Sequence, residues 1–202
     1  LPFEGHLPND DVLLLHEAEE MIEAADAVAV QPCDCRRLGQ RCSKLIDVCI
    51  GLGDAARYLI ERDGLPALTK EQGLEVLREA HRKGLMHTGD SSWRENGLYY
   101  ICNCCSCDCY PFRAGRVLDS KGVWPKNRHV AVVDETKCTS CGKCMKRCHF
   151  DAFRRDPTEK VEIVVRGKIK RRRRVLYDPE RCWGCGLCST TCPDDAIAMD
   201  PI

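Results

Sequence analysis

The sequence has no apolar run long enough to span a bilayer, since runs such as Ala27–Val30 cover only a few residues. Lys and Arg together number 31, as do Asp and Glu, so the whole chain is not a generic binder of polyanions. It also carries no Gly-rich phosphate loop, no dinucleotide-binding fingerprint and no Ser–His–Asp set. We therefore expect no membrane span, no secretion signal and none of the common nucleotide-dependent or serine-hydrolase chemistries.

Cysteine, in contrast, is abundant: the 202 residues include 17, and this odd number argues against a closed disulfide framework. Charge is distributed unevenly, because residues 131–202 hold 15 basic and 11 acidic side chains whereas the preceding part is net acidic. Gly, Pro and polar residues gather at Ser120–His129. These features predict two domains, residues 1–128 and residues 129–202, in an α+β protein.

The clearest motif is C-x2-C-x2-C-x3-C, which occurs twice in the second domain. Its members are Cys138, Cys141, Cys144 and Cys148 in the first copy and Cys182, Cys185, Cys188 and Cys192 in the second. This spacing lets one tight loop supply three corners of a cubane cluster, while the fourth cysteine reaches the other cluster. An internal repeat of this kind is typical of a two-cluster site.

On these motifs, residues from about Val130 to Pro201 resemble the bacterial-type ferredoxins with two [4Fe–4S] clusters. The resemblance implies a ferredoxin-like domain and crossed ligands, with a departure at His149, where the family usually has proline. One implied cluster takes Cys138, Cys141, Cys144 and Cys192, and the other takes Cys182, Cys185, Cys188 and Cys148.

A basic segment separates the two motifs. Val161, Ile163 and Val165 alternate with polar residues and Gly167 marks a turn, which predicts a β-hairpin. Seven of the nine residues in Arg166–Arg174 are Lys or Arg. They form either a solvated edge strand that resists aggregation or a docking patch for an acidic redox partner.

In the first domain, the sequence predicts helices that begin at Asn9 or Asp10, near Gly53 and at Thr69, followed by a hairpin that ends near Cys102. This order favours a winged-helix-like domain. The predicted helix Thr69–Gly84 carries three acidic residues, which disfavours nucleic acid as a partner.

Nine further cysteines lie in two segments of the first domain. They are Cys33, Cys35, Cys42 and Cys49 in one segment, and Cys102, Cys104, Cys105, Cys107 and Cys109 in the other. A chain with a ferredoxin domain is made where thiols stay reduced, so we expect a cytoplasmic protein without disulfides. C-x-C spacing is atypical of zinc knuckles. We therefore expect one or two additional [4Fe–4S] clusters, bound either within each segment or by cysteines exchanged between the segments.

Three functional hypotheses follow. The first is a multi-cluster electron-transfer protein of anaerobic metabolism, a subunit or donor for a larger low-potential oxidoreductase. The second is a redox-sensing transcription regulator that uses the winged helix. The third is a reductase whose N-terminal cluster is itself catalytic, which requires an iron with an open coordination position.

Overall fold

The computed structural model describes residues 11–165 and 167–202. The chain forms two compact units, one that ends at Arg128 and one that runs from His129 to Ile202. Each unit has its own hydrophobic core. Within the described residues, no helix is both long and apolar enough to cross a membrane.

The N-terminal unit alternates strands and helices along the chain. Its strands are β1 (Asp11–Leu13), β2 (Val28–Pro32), β3 (Asp47–Leu52), β4 (Ala67–Leu68), β5 (Met86–Gly89) and β6 (Tyr100–Cys104). Its helices are α1 (Leu15–Ala24), α2 (Asp34–Gly39), α3 (Asp54–Asp63), α4 (Lys70–Arg82), α5 (Trp93–Asn96) and α6 (Tyr110–Val117). The strands form one sheet in the order β1-β5-β6-β3-β2-β4, and all paired neighbours are antiparallel.

Helix α4 illustrates how the sequence builds this unit. Thr69 and Gln72 form a capping box, in which each side chain accepts a bond from the other residue's backbone N–H, at 3.2 and 2.9 Å. Such a cap stabilises a helix by about 1 kcal/mol. A Cβ at Gly73 would lie 2.9 Å from Val28, so glycine permits α4 to pack closely on β2. Leu77 faces the core and is fully buried.

The winged-helix expectation is not confirmed, because the unit is built on a six-stranded sheet. Asn9 and Asp10 lie outside the described residues, and the first helix begins at Leu15, after the strand Asp11–Leu13. That strand pairs with β5, so its residues serve the sheet and cannot extend α1. The expected hairpin is confirmed as β5 and β6, although α5 occupies the connection between them.

The C-terminal unit contains two strand pairs and one short α-helix. These elements are β7 (His129–Val133), α7 (Lys143–Arg147), β8 (Phe153–Val165), β9 (Lys168–Tyr177) and β10 (Ile197–Pro201). β7 pairs antiparallel with β10, and β8 pairs antiparallel with β9. The predicted hairpin is thus confirmed, but its first strand starts at Phe153 instead of Val161. Helices and strands in both units agree with the α+β class.

Candidate metal centres

The first cysteine group of the C-terminal unit, named here the Cys138 set, combines both repeats. A cavity of about 20 Å³ is lined by Cys138, Cys141, Cys144 and Cys192, together with neighbouring loop and strand residues. Burial raises the pKa of Cys144 to about 11, and the Cys141 and Cys138 thiols add to the rise. The Cys192 sulfur accepts a backbone N–H bond from Ala196 at 3.3 Å.

The second group, named here the Cys182 set, consists of Cys182, Cys185, Cys188 and Cys148. Burial raises the pKa of Cys185 to about 12, and the nearby Cys148 and Cys182 thiols contribute to this shift. The Cys188 pKa is raised by burial and by the other three members of the set. Gly184 donates its backbone N–H to the Cys182 sulfur at 3.4 Å. The fourth cysteine of each motif therefore lies with the other motif's first three.

Arginines of the hairpin hold the first cysteine loop in place. Arg155 on β8 donates to the carbonyls of Ser140 at 2.6 Å and Cys141 at 3.3 Å. Arg172 on β9 donates to the carbonyl of Thr139 at 3.2 Å. These bonds satisfy loop carbonyls that no helix or sheet pairs, so the hairpin supports the loop geometry that the motif requires.

His149, the position that departs from the ferredoxin pattern, is half-buried next to Cys148. Its ring meets Phe150 edge-on at 6.3 Å between centroids, and Phe150 stacks on Trp183 at 4.8 Å. The substitution thus places a polar aromatic ring, rather than proline, beside the Cys182 set.

Six cysteines of the N-terminal unit line a single cavity of about 230 Å³. Their thiols hydrogen-bond to one another around a closed ring, named here the six-thiol ring. In order around the ring the members are Cys33, Cys49, Cys102, Cys104, Cys109 and Cys35. Tyr100 and Asn103 on β6 also line the cavity, so it lies against this strand of the sheet.

The ring thiols alternate between proton donors and acceptors. Hydrogen bonds from Cys109 and Cys33 lower the pKa of Cys35 to about 2. Hydrogen bonds from Cys102 likewise lower the pKa values of Cys49 and Cys104 well below the usual range of a thiol. Thiolates therefore form readily at alternate positions of the ring. Protons on the neighbouring thiols balance their charge, and a bound metal group would take the place of those protons.

Four ring sulfurs also accept backbone N–H bonds. The donors are the backbone of Arg36 to Cys33, Tyr110 to Cys35, Asn103 to Cys49 and Phe112 to Cys109. Backbone donation of this kind lowers the pKa of a thiol because it stabilises the negative sulfur. It is also the interaction that tunes iron–sulfur clusters in proteins.

Arg36 brings a buried positive charge to the ring. Its side chain donates to the Asn103 carbonyl at 2.9 Å and to the Cys105 sulfur at 3.8 Å. Burial opposes the charge, but the thiols of Cys33, Cys105 and Cys49 raise the pKa of Arg36. Its Nε and Nη2 atoms have no partner among the described residues. Buried donors without acceptors are costly. This environment therefore suits an anionic group whose sulfurs accept hydrogen bonds, such as an iron–sulfur cluster.

A second group in the N-terminal unit, named here the Cys42 group, consists of Cys42, Cys105, Cys107 and Asp108. One potential ligand atom from each lies within 4.8 Å of all the others. Both groups draw on both sequence segments: Cys42 lies with residues of the 102–109 loop, and that loop contributes to both groups. This grouping favours the exchanged arrangement over a partition within each segment.

Strand geometry explains this division. Successive residues of a strand point to opposite faces, so Cys102 and Cys104 on β6 both reach the six-thiol ring. Asn103 and Cys105 point the other way, toward Val48 on β3. The sequence CNCC thus distributes its cysteines between two sites.

A buried polar chain runs behind the ring. Asn103 Nδ2 donates to the Val48 carbonyl at 2.5 Å, which leaves its Oδ1 as the acceptor for His87 Nδ1 at 2.6 Å. His87 Nε2 then accepts from His81 Nδ1 at 2.9 Å. Burial lowers the pKa of His87 to about 3, so the ring stays neutral.

Sequence reasoning missed several polar residues of these sites. Asp108 lies between Cys107 and Cys109, and its position could have marked it as a ligand. Arg36 and Asn103 carry no local sequence signal. Arg36 acts through contacts that are 67 and 69 positions away in the sequence, and Asn103 acts through a contact 16 positions away. His81 and His87 carry no shared sequence signal, although the fold joins them by a hydrogen bond.

Comparison with known proteins separates the two halves of the chain. No curated protein matches the chain, and the N-terminal half has no family match. Residues 131–199 match the family model of the 4Fe-4S dicluster domain. The resemblance of the C-terminal part to two-cluster ferredoxins is thereby confirmed, and a 4Fe–4S dicluster domain implies iron–sulfur electron transfer.

Proposed function

We propose that the chain is a multi-cluster iron–sulfur electron-transfer protein that serves a larger low-potential oxidoreductase. The observation that carries this proposal is the six-thiol ring, a third concentrated set of thiols in a chain that already has a dicluster domain. Bound [4Fe–4S] clusters supply one-electron redox chemistry. The protein residues hold them, set the local charge and exclude water.

In the dicluster domain, we propose that ligands cross between the repeats. The Cys138 set binds one cluster and the Cys182 set binds the other. Support comes from the cavity that Cys192 shares with the first motif, and from the proximity of Cys148 to Cys182 and Cys185. Arg155 and Arg172 fix the first loop so that its thiols converge.

In the N-terminal unit, the six-thiol ring binds one additional [4Fe–4S] cluster. A cubane requires four cysteines, and the ring offers six. The proposed ligands are Cys33, Cys35, Cys49 and Cys109, whose sulfurs accept backbone N–H bonds. The buried guanidinium of Arg36 offsets part of the negative charge.

The hairpin surface fits an acidic redox partner. Arg171 pairs with Glu162 at 3.4 Å and Arg174 with Glu159 at 3.1 Å, so part of the basic run is neutralised within the hairpin. Within the described residues, Lys170 and Arg173 form no ion pair and are exposed. A groove of about 710 Å³ beside this hairpin extends to Cys138. A partner attracted by the free charges would thus dock next to a cluster loop.

The regulator hypothesis has less support than electron transfer. In α4, Arg78 pairs with Glu19 at 2.6 Å and Arg82 with Glu79 at 2.8 Å. Cations engaged in this way are poorly placed to bind phosphates. No contact of the described residues favours the third hypothesis, an open catalytic iron.

Quantification of iron and acid-labile sulfide in the anaerobically purified full chain tests the proposal. Three cubanes give about 12 irons per chain, whereas the dicluster domain alone gives about 8. Cys49→Ser should reduce the iron content toward the lower number and leave the EPR signals of the dicluster domain intact. The matched control, Ser43→Ala, changes an exposed residue of the same cysteine-rich segment and should keep all the iron. A wild-type value near 8 would show that the ring holds no cluster.

A further inference from the structure

We propose that the Cys42 group binds one zinc ion, at a site separate from every iron–sulfur cluster. The ligands are the thiolates of Cys42, Cys105 and Cys107 and the carboxylate of Asp108. This site goes beyond the electron-transfer proposal and does not depend on it, because it uses none of the ring cysteines.

The distances between the ligand atoms suit one ion. The sulfurs of Cys42 and Cys105 are 4.0 Å apart, and all four candidate ligand atoms lie within 4.8 Å of one another. A tetrahedral zinc ion with Zn–S bonds of about 2.3 Å holds its sulfur ligands roughly 3.8 Å apart. The Cys42 group therefore requires little movement to bind one zinc ion.

Asp108 supplies the independent sign of a cation. Its side chain is completely buried, and a buried carboxylate needs partners for both oxygens. Oδ1 accepts the backbone N–H of Arg41 at 3.0 Å, but Oδ2 has no hydrogen-bond partner among the described residues. The carboxylate contacts the Cys42 thiol. A metal ion in the group would satisfy this oxygen.

The surrounding backbone is built to hold the four ligands. Asp108 donates its N–H to the Cys105 sulfur at 3.4 Å, so the loop closes on itself. A Cβ at Gly39 would lie 2.3 Å from Asp108 Oδ1, and only glycine leaves room for the carboxylate at the end of α2. Arg36, which also lies on α2, donates to the Cys105 sulfur at 3.8 Å. These outer contacts orient the ligands, as in established metal sites.

Three thiolates and one carboxylate complete the usual four-coordinate shell of zinc and leave no open position for substrate. The proposed role is therefore structural. The ion would fasten the Cys105–Asp108 turn to the Cys42 loop, directly behind the residues that shape the six-thiol ring. A thiophilic, redox-inert ion at this place would keep the ring in position while its cluster changes oxidation state.

Metal analysis of the anaerobically purified full chain tests the site, with zinc and iron measured in the same sample. We expect one zinc per chain, and zinc-edge X-ray absorption should show three sulfurs at about 2.3 Å and one oxygen at about 2.0 Å. Full iron content without zinc, or a zinc shell of nitrogen and oxygen only, would overturn the proposal. Because the two metals are counted separately, loss of the ring cluster with zinc retained would overturn only the function proposed above.

Two variants and one control assign the ligands. Cys107→Ser should lose the zinc equivalent and retain the wild-type iron content, whereas the ring variant Cys49→Ser should do the reverse. Asp108→Asn preserves all the thiols and nearly the same side-chain shape, so this variant tests the site without removing a cysteine. It should weaken zinc binding at least about tenfold in competition with a chromophoric chelator. Loss of iron with zinc retained in the Cys107 variant would assign this thiol to a cluster. Wild-type zinc affinity in the Asp108 variant would exclude the carboxylate as a zinc ligand. Either result refutes the site as described.

Discussion

Arg36 should control the reduction potential of the N-terminal cluster. Its guanidinium is almost completely buried and lies among the thiols of Cys33, Cys49 and Cys105. Reduction adds one negative charge to a cluster, and a nearby cation stabilises the reduced form. Replacement of Arg36 by Met removes the charge but retains most of the side-chain volume, so we expect a lower potential.

The size of the shift follows from Coulomb's law. At a separation of about 7 Å and an effective dielectric constant of about 20, a unit charge contributes about 2.4 kcal/mol. For a one-electron couple, about 1.4 kcal/mol corresponds to 59 mV, so Arg36→Met should lower the potential by roughly 100 mV. The variant also leaves the Asn103 carbonyl without its bond from Arg36, at a cost to stability of about 1–3 kcal/mol.

An EPR-monitored potentiometric titration of the full chain measures this effect. Arg36→Lys keeps the positive charge and should remain within roughly 30 mV of wild type, while the dicluster signals should not move in any variant. Arg37→Met is the matched control, because this neighbouring side chain is 58% exposed and pairs with Asp34. Its effect should be small because exposed charges are screened. Equal potentials in the Met and Lys variants of Arg36 would refute the electrostatic role.

Three further predictions address other parts of the molecule. Cys148→Ser should damage the cluster of the Cys182 set, as seen by EPR, and selective loss of the Cys138 signal would contradict crossed ligands. The double variant Lys170→Gln, Arg173→Gln should slow association with an acidic redox partner and flatten its salt dependence, whereas unchanged rates at low salt would make the charges a solubility feature. His87 should remain neutral, with its proton on Nδ1, in imidazole NMR spectra down to about pH 4. An unfolded histidine titrates near 6.5, so the unfolded chain binds a proton that His87 in the folded chain does not. The free energy of unfolding should therefore fall as the pH falls from about 6.5 toward 3. An NMR titration midpoint between 6 and 7 would contradict the burial of His87.

The dicluster domain was predictable because its information is local. Each motif places three ligands within seven residues, and the repeat itself identifies the fourth. The hairpin was predictable for the same reason, since alternation and Gly167 are signals within a short segment. The extension of this strand back to Phe153 was not predictable, because Arg154, Arg155 and Asp156 interrupt the apolar alternation. Arg154 and Arg155 nevertheless pair with β9, and the register shifts after Arg155.

The N-terminal unit was harder because short strands carry little pattern. β1 has three residues and β4 has two, too few to show an alternation, so their sequence did not indicate a sheet. Without them, the remaining helices and one hairpin resembled a winged helix. Hydrogen bonds to β5 and β2, which are distant in sequence, decide the conformation of these segments.

The cysteines of this unit illustrate the limit most clearly. Sequence spacing groups Cys42 with Cys33, Cys35 and Cys49, but the antiparallel pairing of β3 with β6 brings the 102–109 loop against that segment. The pleat of β6 directs Cys102 and Cys104 to the six-thiol ring, whereas Cys105, which follows the strand, lies in the Cys42 group. A one-residue shift in this register would exchange the two faces and empty both sites. The function proposed for the N-terminal unit therefore depends on strand register as much as on the cysteines themselves.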